Sequence, residues 1–270
     1  MQKNVSQNKI KLGTHNENYG NWMSNPIFYI IGGMLIVALT FTAISFTLIH
    51  IPFLGIISSI ISLGLLILLI LIAWVRKQYS SNGGDIMNKV HETVLRHLDF
   101  NGNGTLLEVG CGSGALAIRA ALTWPDAHII GLDYWGAVYN YSKEVCESNA
   151  SSEGVSNHCT FMHGDARKLD FEDESVDAVV SNYVFHNING SDKQYLMLES
   201  LRVLKNGGVF AINDSMKPKM YGNIEFFAQK LRDMGYKDVK IINTAEEIFG
   251  SKYRAALLFL PDSTMIVGRK

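Results

Sequence analysis

Hydrophobic residues are distributed unevenly along the chain, and the pattern divides it into two parts. Residues 26–75 are almost wholly apolar and contain no Asp, Glu, Lys or Arg. One helix that crosses a bilayer needs about 20 apolar residues, so this run is long enough for two. Pro52 favours a turn near the middle of the run, because proline interrupts a helix. The pattern therefore predicts two transmembrane helices, over about residues 26–49 and 52–75.

The charges that flank this run favour a cytoplasmic location for both of its ends. Three lysines precede the run, Arg76 and Lys77 follow it, and the predicted turn carries no charge. Because Lys and Arg are enriched on the cytoplasmic side of membrane proteins, we expect a multi-pass protein of the cell membrane with both termini in the cytoplasm. A cleaved signal peptide is disfavoured, because about 25 polar residues come first and the apolar run is too long. A buried hairpin in a soluble protein is the remaining alternative.

The rest of the chain shows the alternation of strand and helix patterns that is typical of an α/β fold. An amphipathic helix begins after Asp85, and short apolar runs then alternate with helical segments, which predicts a mostly parallel sheet with helices on both faces. The predicted strands are 105–109, 128–132, 159–163, 176–181, 208–212, 239–242 and 264–268, and the predicted helices are 114–122, 138–150, 191–204, 222–234 and part of 245–260. The predicted domains are a cytoplasmic segment (1–25), the hairpin (26–75) and a soluble domain (76–270).

Charge and cysteine content narrow the classes of function. The net charge of −1 argues against a nucleic-acid-binding protein. Cys111, Cys146 and Cys159 lie in the part expected to be cytoplasmic, where disulfides are not expected. We expect no metal site, because the sequence has no CxxC pair and no His/Cys cluster.

The strongest chemical signal follows the first predicted strand. Residues 108–114 read E-V-G-C-G-S-G and open a helix. Glycines at alternate positions let the backbone turn sharply and approach a ligand, and the helix N-terminus offers free N–H groups. Taken alone, the loop also fits the dinucleotide pattern G-x-G-x-x-A through Ala115.

Acidic residues at successive strand ends distinguish two kinds of cofactor. Glu108 precedes the first glycine, Asp133 ends the second strand and Asp165 follows the third. A carboxylate at the position of Asp133 suits vicinal ribose hydroxyls. The three acidic residues together predict a negatively charged entrance to the binding pocket, which suits a positively charged cofactor better than a pyrophosphate.

This combination resembles the class I S-adenosylmethionine-dependent methyltransferases over about residues 86–270. Residues 108–114 match the family's E/D-x-G-x-G-x-G, residues 176–182 match its fourth-strand motif, and residues 204–208 match its L-x-x-G-G. The resemblance implies a seven-stranded, mostly parallel Rossmann-like sheet with an antiparallel last strand. It also implies S-adenosylmethionine as the cofactor.

The resemblance also assigns the cofactor site. Asp133 corresponds to the acid that binds the ribose and Asp165 to the acid at the adenine edge, whereas Cys111 contributes its backbone. Tyr134 or Trp135 is a candidate to stack on the adenine. The alternatives are that the two acids only cap a helix and a turn and that the aromatic rings pack in the core. The implied cofactor-binding residues are Glu108, Gly110, Cys111, Gly112, Gly114, Asp133, Tyr134, Asp165, Ala166 and Asn182.

The methyl acceptor is expected beside residues 181–187, which follow the fourth strand. His186 is the first candidate for a general base, because histidine ordinarily titrates near neutrality, and Tyr183 is the second. A base is needed only where the nucleophile arrives protonated, and the alternative is that His186 merely bonds to backbone. Tyr19 and Trp22 are candidates to fold over the cleft, since the first residues of such enzymes often cover the cofactor.

These observations predict a membrane-anchored methyltransferase that acts on a small, lipophilic or membrane-associated molecule. The acceptor atom stays open among O, N, S and C. The loop 181–187 lacks the Asn/Asp-Pro-Pro-Tyr pattern of many nucleic-acid methyltransferases, so no nucleic-acid partner is expected. A homodimer through the hairpin, where small residues permit close packing, is a further expectation. The alternatives are an NAD(P)-dependent oxidoreductase of Rossmann type and a non-catalytic, cofactor-binding membrane module.

Overall fold

The described residues form two compact units. One unit comprises residues 21–85, and the other comprises residues 86–270 together with the described residues up to Gly20. We call them the hairpin unit and the sheet unit. The computed structural model describes residues 12, 17–23, 25–80, 85–136 and 141–270.

The hairpin unit contains two long apolar helices, α1 (Asn25–Thr47) and α2 (Pro52–Gln78). They have 23 and 27 residues, and both are long and apolar enough to cross a membrane. Pro52 is the first residue of α2, where its missing N–H costs no helical hydrogen bond. The predicted helix pair and its turn are thus present, and α2 continues three residues beyond the predicted end.

Close contacts between small and polar residues hold α1 against α2. The hydroxyl of Thr42 donates a hydrogen bond to Oγ of Ser58 over 2.9 Å. Gly55 faces the ring of Phe46 so closely that an added Cβ would lie 2.5 Å from the ring. Gly55 therefore permits the close approach that the small residues of this segment predicted.

The sheet unit is built on a seven-stranded sheet with the order β3-β2-β1-β4-β5-β7-β6. β7 pairs antiparallel with both of its neighbours, and the other pairs are parallel. The strand order reverses between β1 and β4, which is where ligands bind in open α/β sheets. The strands are β1 (Gly104–Val109), β2 (Ala127–Asp133), β3 (Cys159–His163), β4 (Val176–Asn182), β5 (Leu204–Ser215), β6 (Lys237–Ile242) and β7 (Ser263–Arg269).

Helices cover both faces of the sheet, because successive strand residues point to opposite faces. Leu106 of β1 packs in one core layer and Leu107 in the other. The first layer contains α3, α4 and α5, and the second contains α6 and α8. The helices are α3 (Ile86–His97), α4 (Ala115–Thr123), α5 (Lys143–Ser152), α6 (Lys193–Arg202), α7 (Pro218–Tyr221), α8 (Ile224–Asp233), α9 (Thr244–Phe249) and α10 (Lys252–Leu257).

The structure confirms the predicted fold class and corrects several boundaries. β5 extends to Ser215 rather than ending at 212, because it pairs with β7 over that whole length. The helix predicted over 222–234 is present as α8, and the short helix α7, which was not predicted, precedes it. The helix predicted from 138 begins at Lys143, and residues 137–140 lie outside the described residues.

Candidate active site

The glycine loop joins β1 to α4 at the carboxyl edge of the sheet. Gly110, Gly112 and Gly114 all have positive φ, with +55° at Gly112. An added Cβ at Gly110 would lie 2.3 Å from Val184, so protein packing requires that glycine. At Gly112 the only contact among the described residues is between the added Cβ and the ring of Tyr141, at 3.5 Å, which is ordinary contact. The loop is therefore packed tightly at one glycine and open at the next, as a loop that holds a ligand must be.

Glu108 is buried beneath this loop, where it is 3% exposed. Within the described part of the chain, its Oε2 has no hydrogen-bond partner. Burial raises the pKa of its carboxyl to about 8, although a backbone hydrogen bond from Ala117 opposes the shift. A buried carboxyl of this kind is stabilised as a carboxylate by a nearby positive charge. The residue therefore fits a cofactor that carries positive charge.

The carboxylate of Asp133 ties the end of β2 to the glycine loop. Its Oδ2 accepts the N–H of Gly112 over 2.8 Å, and its Oδ1 accepts the N–H of Trp135 over 2.7 Å. The indole of Trp135 donates in turn to the carbonyl of Gly112 over 2.9 Å. Each carboxylate oxygen retains a lone pair for a further donor such as a ribose hydroxyl. Asp133 thus both caps the loop and stays chemically able to bind a ribose.

The residues expected at the adenine edge lie together after β2 and β3. The ring of Tyr134 is exposed, and its centroid lies 5.2 Å from that of His163. Asp165 accepts hydrogen bonds from the side chain and the backbone N–H of Arg167, each at 2.9 Å. Arg167 thereby holds the pKa of the Asp165 carboxyl below its usual value. A ligand at this edge must share Asp165 with that arginine, whereas the buried Ala166 offers only its backbone.

An N-terminal segment lies against the glycine loop. Tyr19 is 1% exposed, and its carbonyl accepts the hydroxyl of Ser113 over 3.1 Å. Its phenol donates to Glu153 over 3.1 Å, and Asn18 exchanges two hydrogen bonds with the side chain of Asn149. The expected fold-back of Tyr19 is therefore present, whereas Trp22 belongs to the hairpin unit.

On the acceptor side, His186 is held by a buried aspartate. Its Nδ1 lies 2.5 Å from Oδ1 of Asp214, whose side chain is 1% exposed. The backbone N–H groups of Phe185 and Ser215 also donate to this carboxylate, at 2.8 and 2.6 Å. A carboxylate on Nδ1 fixes the imidazole tautomer that leaves Nε2 as a proton acceptor. The His186 side chain is 29% exposed, so a substrate can reach the ring.

The hydroxyl of Tyr183 is committed to a buried polar network. It lies 2.6 Å from Oγ of Ser263, which is also 2.8 Å from the hydroxyl of Thr244. Thr244 donates to Asn213, and Asn213 donates to Asn182. Burial raises the pKa of the Tyr183 phenol to about 12. The network therefore shapes the acceptor side through β4, β5 and β7 and leaves Tyr183 a poor base.

The cysteine in the glycine loop has the properties of a packing residue. Cys111 is buried, and burial raises the pKa of its thiol well above the usual value. The thiol of Cys146 donates to the carbonyl of Gly112 over 3.2 Å. A buried, neutral thiol is a weak nucleophile, so Cys111 is unsuited to nucleophilic catalysis and serves to pack the loop.

Asp214 and Tyr141 contribute to the site in ways that the sequence analysis did not assign. Asp214 lies two residues beyond the predicted end of the fifth strand, and only the extension of β5 brings it beside the loop after β4. An Asn-Asp-Ser run at the end of an apolar strand was the available signal. Tyr141 lies between Gly20 and Gly112, and no pattern marked it.

The fold and the glycine-loop site together define a class I S-adenosylmethionine-dependent methyltransferase domain. Residues 107–212 match the family model described as a methyltransferase domain. The chain is similar in fold to geranyl diphosphate C-methyltransferase from Streptomyces coelicolor A3(2), with a TM-score of 0.56 and 13% identity over 72% of this chain and 81% of that one. The sheet unit therefore carries a methyltransferase domain with the Rossmann-like class I fold, and the cofactor of such domains is S-adenosylmethionine.

Curated relatives share the domain but are longer. Sterol 24-C-methyltransferase of Aspergillus fumigatus is 32% identical over 134 residues, which are 49% of this chain and 34% of the relative. The 27-O-demethylrifamycin SV methyltransferase of Amycolatopsis mediterranei is 27% identical over 149 residues, which are 55% of this chain and 52% of that relative. The chain thus spans a third to a half of the length of these relatives.

Proposed function

We propose that this protein transfers a methyl group from S-adenosylmethionine to a hydroxyl on a lipophilic small molecule, with His186 as the general base. The observation that carries the proposal is the contact between His186 and the buried Asp214 at the exit of β4. The cofactor supplies an activated methyl group. The protein residues must align the acceptor and take its proton.

The cofactor is assigned to the open side of the glycine loop. Asp133 is placed to accept the ribose hydroxyls while it holds the loop through Gly112. Glu108 supplies a buried carboxyl for the positively charged end. Tyr134 and Asp165 form the adenine edge, and Arg167 keeps Asp165 ionised.

Asp214 acts through His186 as a positioning residue. Its carboxylate is held by backbone N–H groups from both neighbouring segments, so its geometry is fixed before any ligand arrives. It presents Nδ1 of His186 with an acceptor and so directs the basic Nε2 to the substrate. An imidazolium formed by proton transfer is stabilised by the same carboxylate.

A lipophilic acceptor in a membrane is supported by the hairpin unit and by the relatives. Two apolar helices of this length are suited to anchor the chain in a bilayer, with residues 76–270 on the cytoplasmic side by the charge pattern. The relatives named above act on sterols and a rifamycin, and the structural neighbour acts on geranyl diphosphate. These are lipophilic compounds, and the acceptor proposed here belongs to the same broad class.

The test uses the full chain in lipid nanodiscs with methyl-labelled S-adenosylmethionine and a panel of sterols, prenylated phenols and long-chain alcohols. We expect label in one organic-soluble product, bound through oxygen as shown by mass spectrometry and NMR. His186→Gln should lower kcat about 10²–10⁴-fold with unchanged cofactor affinity. Asp214→Asn should lower kcat less and change its pH profile.

Two matched variants decide whether the loss belongs to His186. His128→Gln removes an exposed histidine on β2 and should leave kcat unchanged. Tyr183→Phe removes only the buried phenol and should retain most of the turnover. A loss in Tyr183→Phe equal to that in His186→Gln would assign the base to Tyr183, and label on carbon would replace O-methylation with C-methylation.

A further inference from the structure

Exposed apolar side chains of the sheet unit gather at the carboxyl edge of the sheet. Tyr195 and Phe226 lie in the first turns of α6 and α8, which begin at this edge because they follow parallel strands. Phe259 precedes β7, which starts at the same edge because it is antiparallel. Tyr253 and Leu257 lie one turn apart on α10, the helix that leads into it, and all five side chains are exposed.

Residues 217–220, which follow β5 at the same edge, and residues 252–260 contain no acidic residue, and we call them together the rim surface. The two segments are brought together by a hydrogen bond of 2.9 Å between residues that flank them, from the N–H of Met216 to the carbonyl of Asp262. The nearest acidic residue in sequence, Asp262, is only partly exposed. The exposed residues of the rim surface include the basic Lys217, Lys219, Lys252 and Arg254 and the apolar Met220, Tyr253, Leu257 and Phe259.

Phe259 ends α10 in the left-handed conformation, with a φ of +60°. The N–H groups of Phe259 and Leu260 donate to the carbonyls of Ala256 and Ala255 over 3.0 and 2.8 Å, which is the Schellman motif that commonly closes a helix. This local geometry leaves Phe259 50% exposed. The rim surface therefore presents an aromatic side chain on a backbone that hydrogen bonds hold in place.

We propose that the rim surface docks onto an anionic phospholipid bilayer. Surfaces that bind the membrane interface combine aromatic and aliphatic side chains with Lys and Arg. The apolar groups enter the boundary between headgroups and acyl chains, and the positively charged groups contact anionic headgroups. The apolar helices of the same chain are suited to hold the domain near a bilayer.

The rim surface also adjoins the acceptor side of the site. Residue 260 lies three positions before Ser263, which bonds to Tyr183, and residue 217 lies three positions after Asp214. Docking would therefore direct the acceptor side of the site at the bilayer and give a lipid-dissolved molecule a path that avoids water. This inference goes beyond the proposed reaction, and its test needs no turnover.

The test measures membrane depth with a nitroxide spin label on the full chain in nanodiscs. The half-buried Cys159 is replaced by Ser, and the label is placed by Ala256→Cys, at an exposed position of the rim surface. The control label is placed by Asn101→Cys, an exposed position before β1 at the opposite edge of the sheet. In phosphatidylglycerol-containing discs we expect the label at 256 to gain oxygen access and lose access to a nickel chelate. The label at 101 should stay as accessible as in water.

Charge variants separate docking from simple tethering by the helices. Lys217→Gln combined with Lys252→Gln should lower the ratio of docked to undocked domain on the order of tenfold. Each positively charged side chain near an anionic surface increases the binding equilibrium several-fold. Lys237→Gln combined with Lys240→Gln makes the same charge change at exposed positions on β6 and should have no effect. Cofactor affinity checks that each variant is folded.

Two outcomes would overturn the proposal. One is a label at 256 that stays as open to the nickel chelate as the label at 101 in anionic discs. The other is protection of the label at 256 with dipolar broadening between two labelled chains, which would assign the rim surface to a second copy of this chain. Neither outcome would bear on His186, so the methyl-transfer proposal is tested separately.

Discussion

The proposed cofactor side and the proposed acceptor side of this site are built by different means. The proposed cofactor side consists of backbone turns and three acidic residues, Glu108, Asp133 and Asp165, each near the end of a strand. The acceptor side depends on side chains from segments far apart in the chain, such as His186 with Asp214 and Tyr183 with Ser263. Each residue of the first arrangement is marked by its own strand end, whereas the second arrangement depends on pairs of side chains.

This difference teaches how the two sides should respond to substitution. A loop that holds a ligand by its backbone no longer binds it when a glycine gains a side chain or when an acidic side chain is removed. Both cofactor binding and turnover are then lost. A side-chain pair such as His186 and Asp214 can be altered while the cofactor still binds. Variants of each side, compared for cofactor affinity and for turnover, test whether the two sides are independent.

The largest effect is expected at Gly112. Gly112→Val should abolish cofactor binding, because the side chain would enter the open side of the loop. Gly154→Val is the matched control, since Gly154 also has positive φ, at +74°, and an added Cβ there meets no atom of the described residues within 4 Å. Both variants should lose about 1–2 kcal/mol of stability from the left-handed backbone. Calorimetric titration and thermal unfolding measure the two quantities.

A folded Gly112→Val variant with normal cofactor affinity would remove the loop from the site. Loss of binding in Gly154→Val as well would show that stability, and not the loop, controls affinity. Either result would break the contrast between the two sides.

The same contrast explains what the sequence could predict. The strands and the glycine loop are marked by apolar runs and glycine spacing, so β1 to β4 lie within one residue of their predicted bounds. His186 was marked by its position after β4. Asp214 was not marked, because β5 extends further than its apolar run. Its role also depends on a contact with His186, which lies 28 positions away in the sequence. Tyr19 was marked only by the resemblance.

A smaller but still large effect is expected at Asp133. Asp133→Ala removes the acceptor for the N–H groups of Gly112 and Trp135, and with it the proposed acceptor for the ribose hydroxyls. Each lost charge-assisted hydrogen bond costs about 1.5–3 kcal/mol, so cofactor affinity should fall at least about tenfold. Asp126→Ala, at an exposed acid in the turn before β2, is the control. Unchanged affinity in folded Asp133→Ala would leave this carboxylate a loop cap only.

The smallest effect is expected from the protonation of Glu108. Its carboxyl has a pKa of about 8 without ligand, because it is buried, so it is mostly protonated at pH 7. A positively charged ligand lowers that pKa, and binding should then release a proton. Affinity should accordingly rise with pH up to the pKa, by about fivefold between pH 7 and pH 8 for a group that titrates near 8.

Calorimetry in two buffers of different ionisation enthalpy measures the released proton directly. The amino group of S-adenosylmethionine titrates in the same range and also contributes to the proton release. The decisive comparison is therefore with Glu108→Gln, which keeps the amino group's contribution and removes that of the carboxyl. We expect the variant to release less proton and to show a weaker pH dependence. Identical proton release in the two proteins would mean that the cofactor's charge does not reach Glu108. The cofactor side would then rest on the loop backbone and Asp133, because the buried carboxyl would serve only to hold the N-terminus of α4 through Ala117.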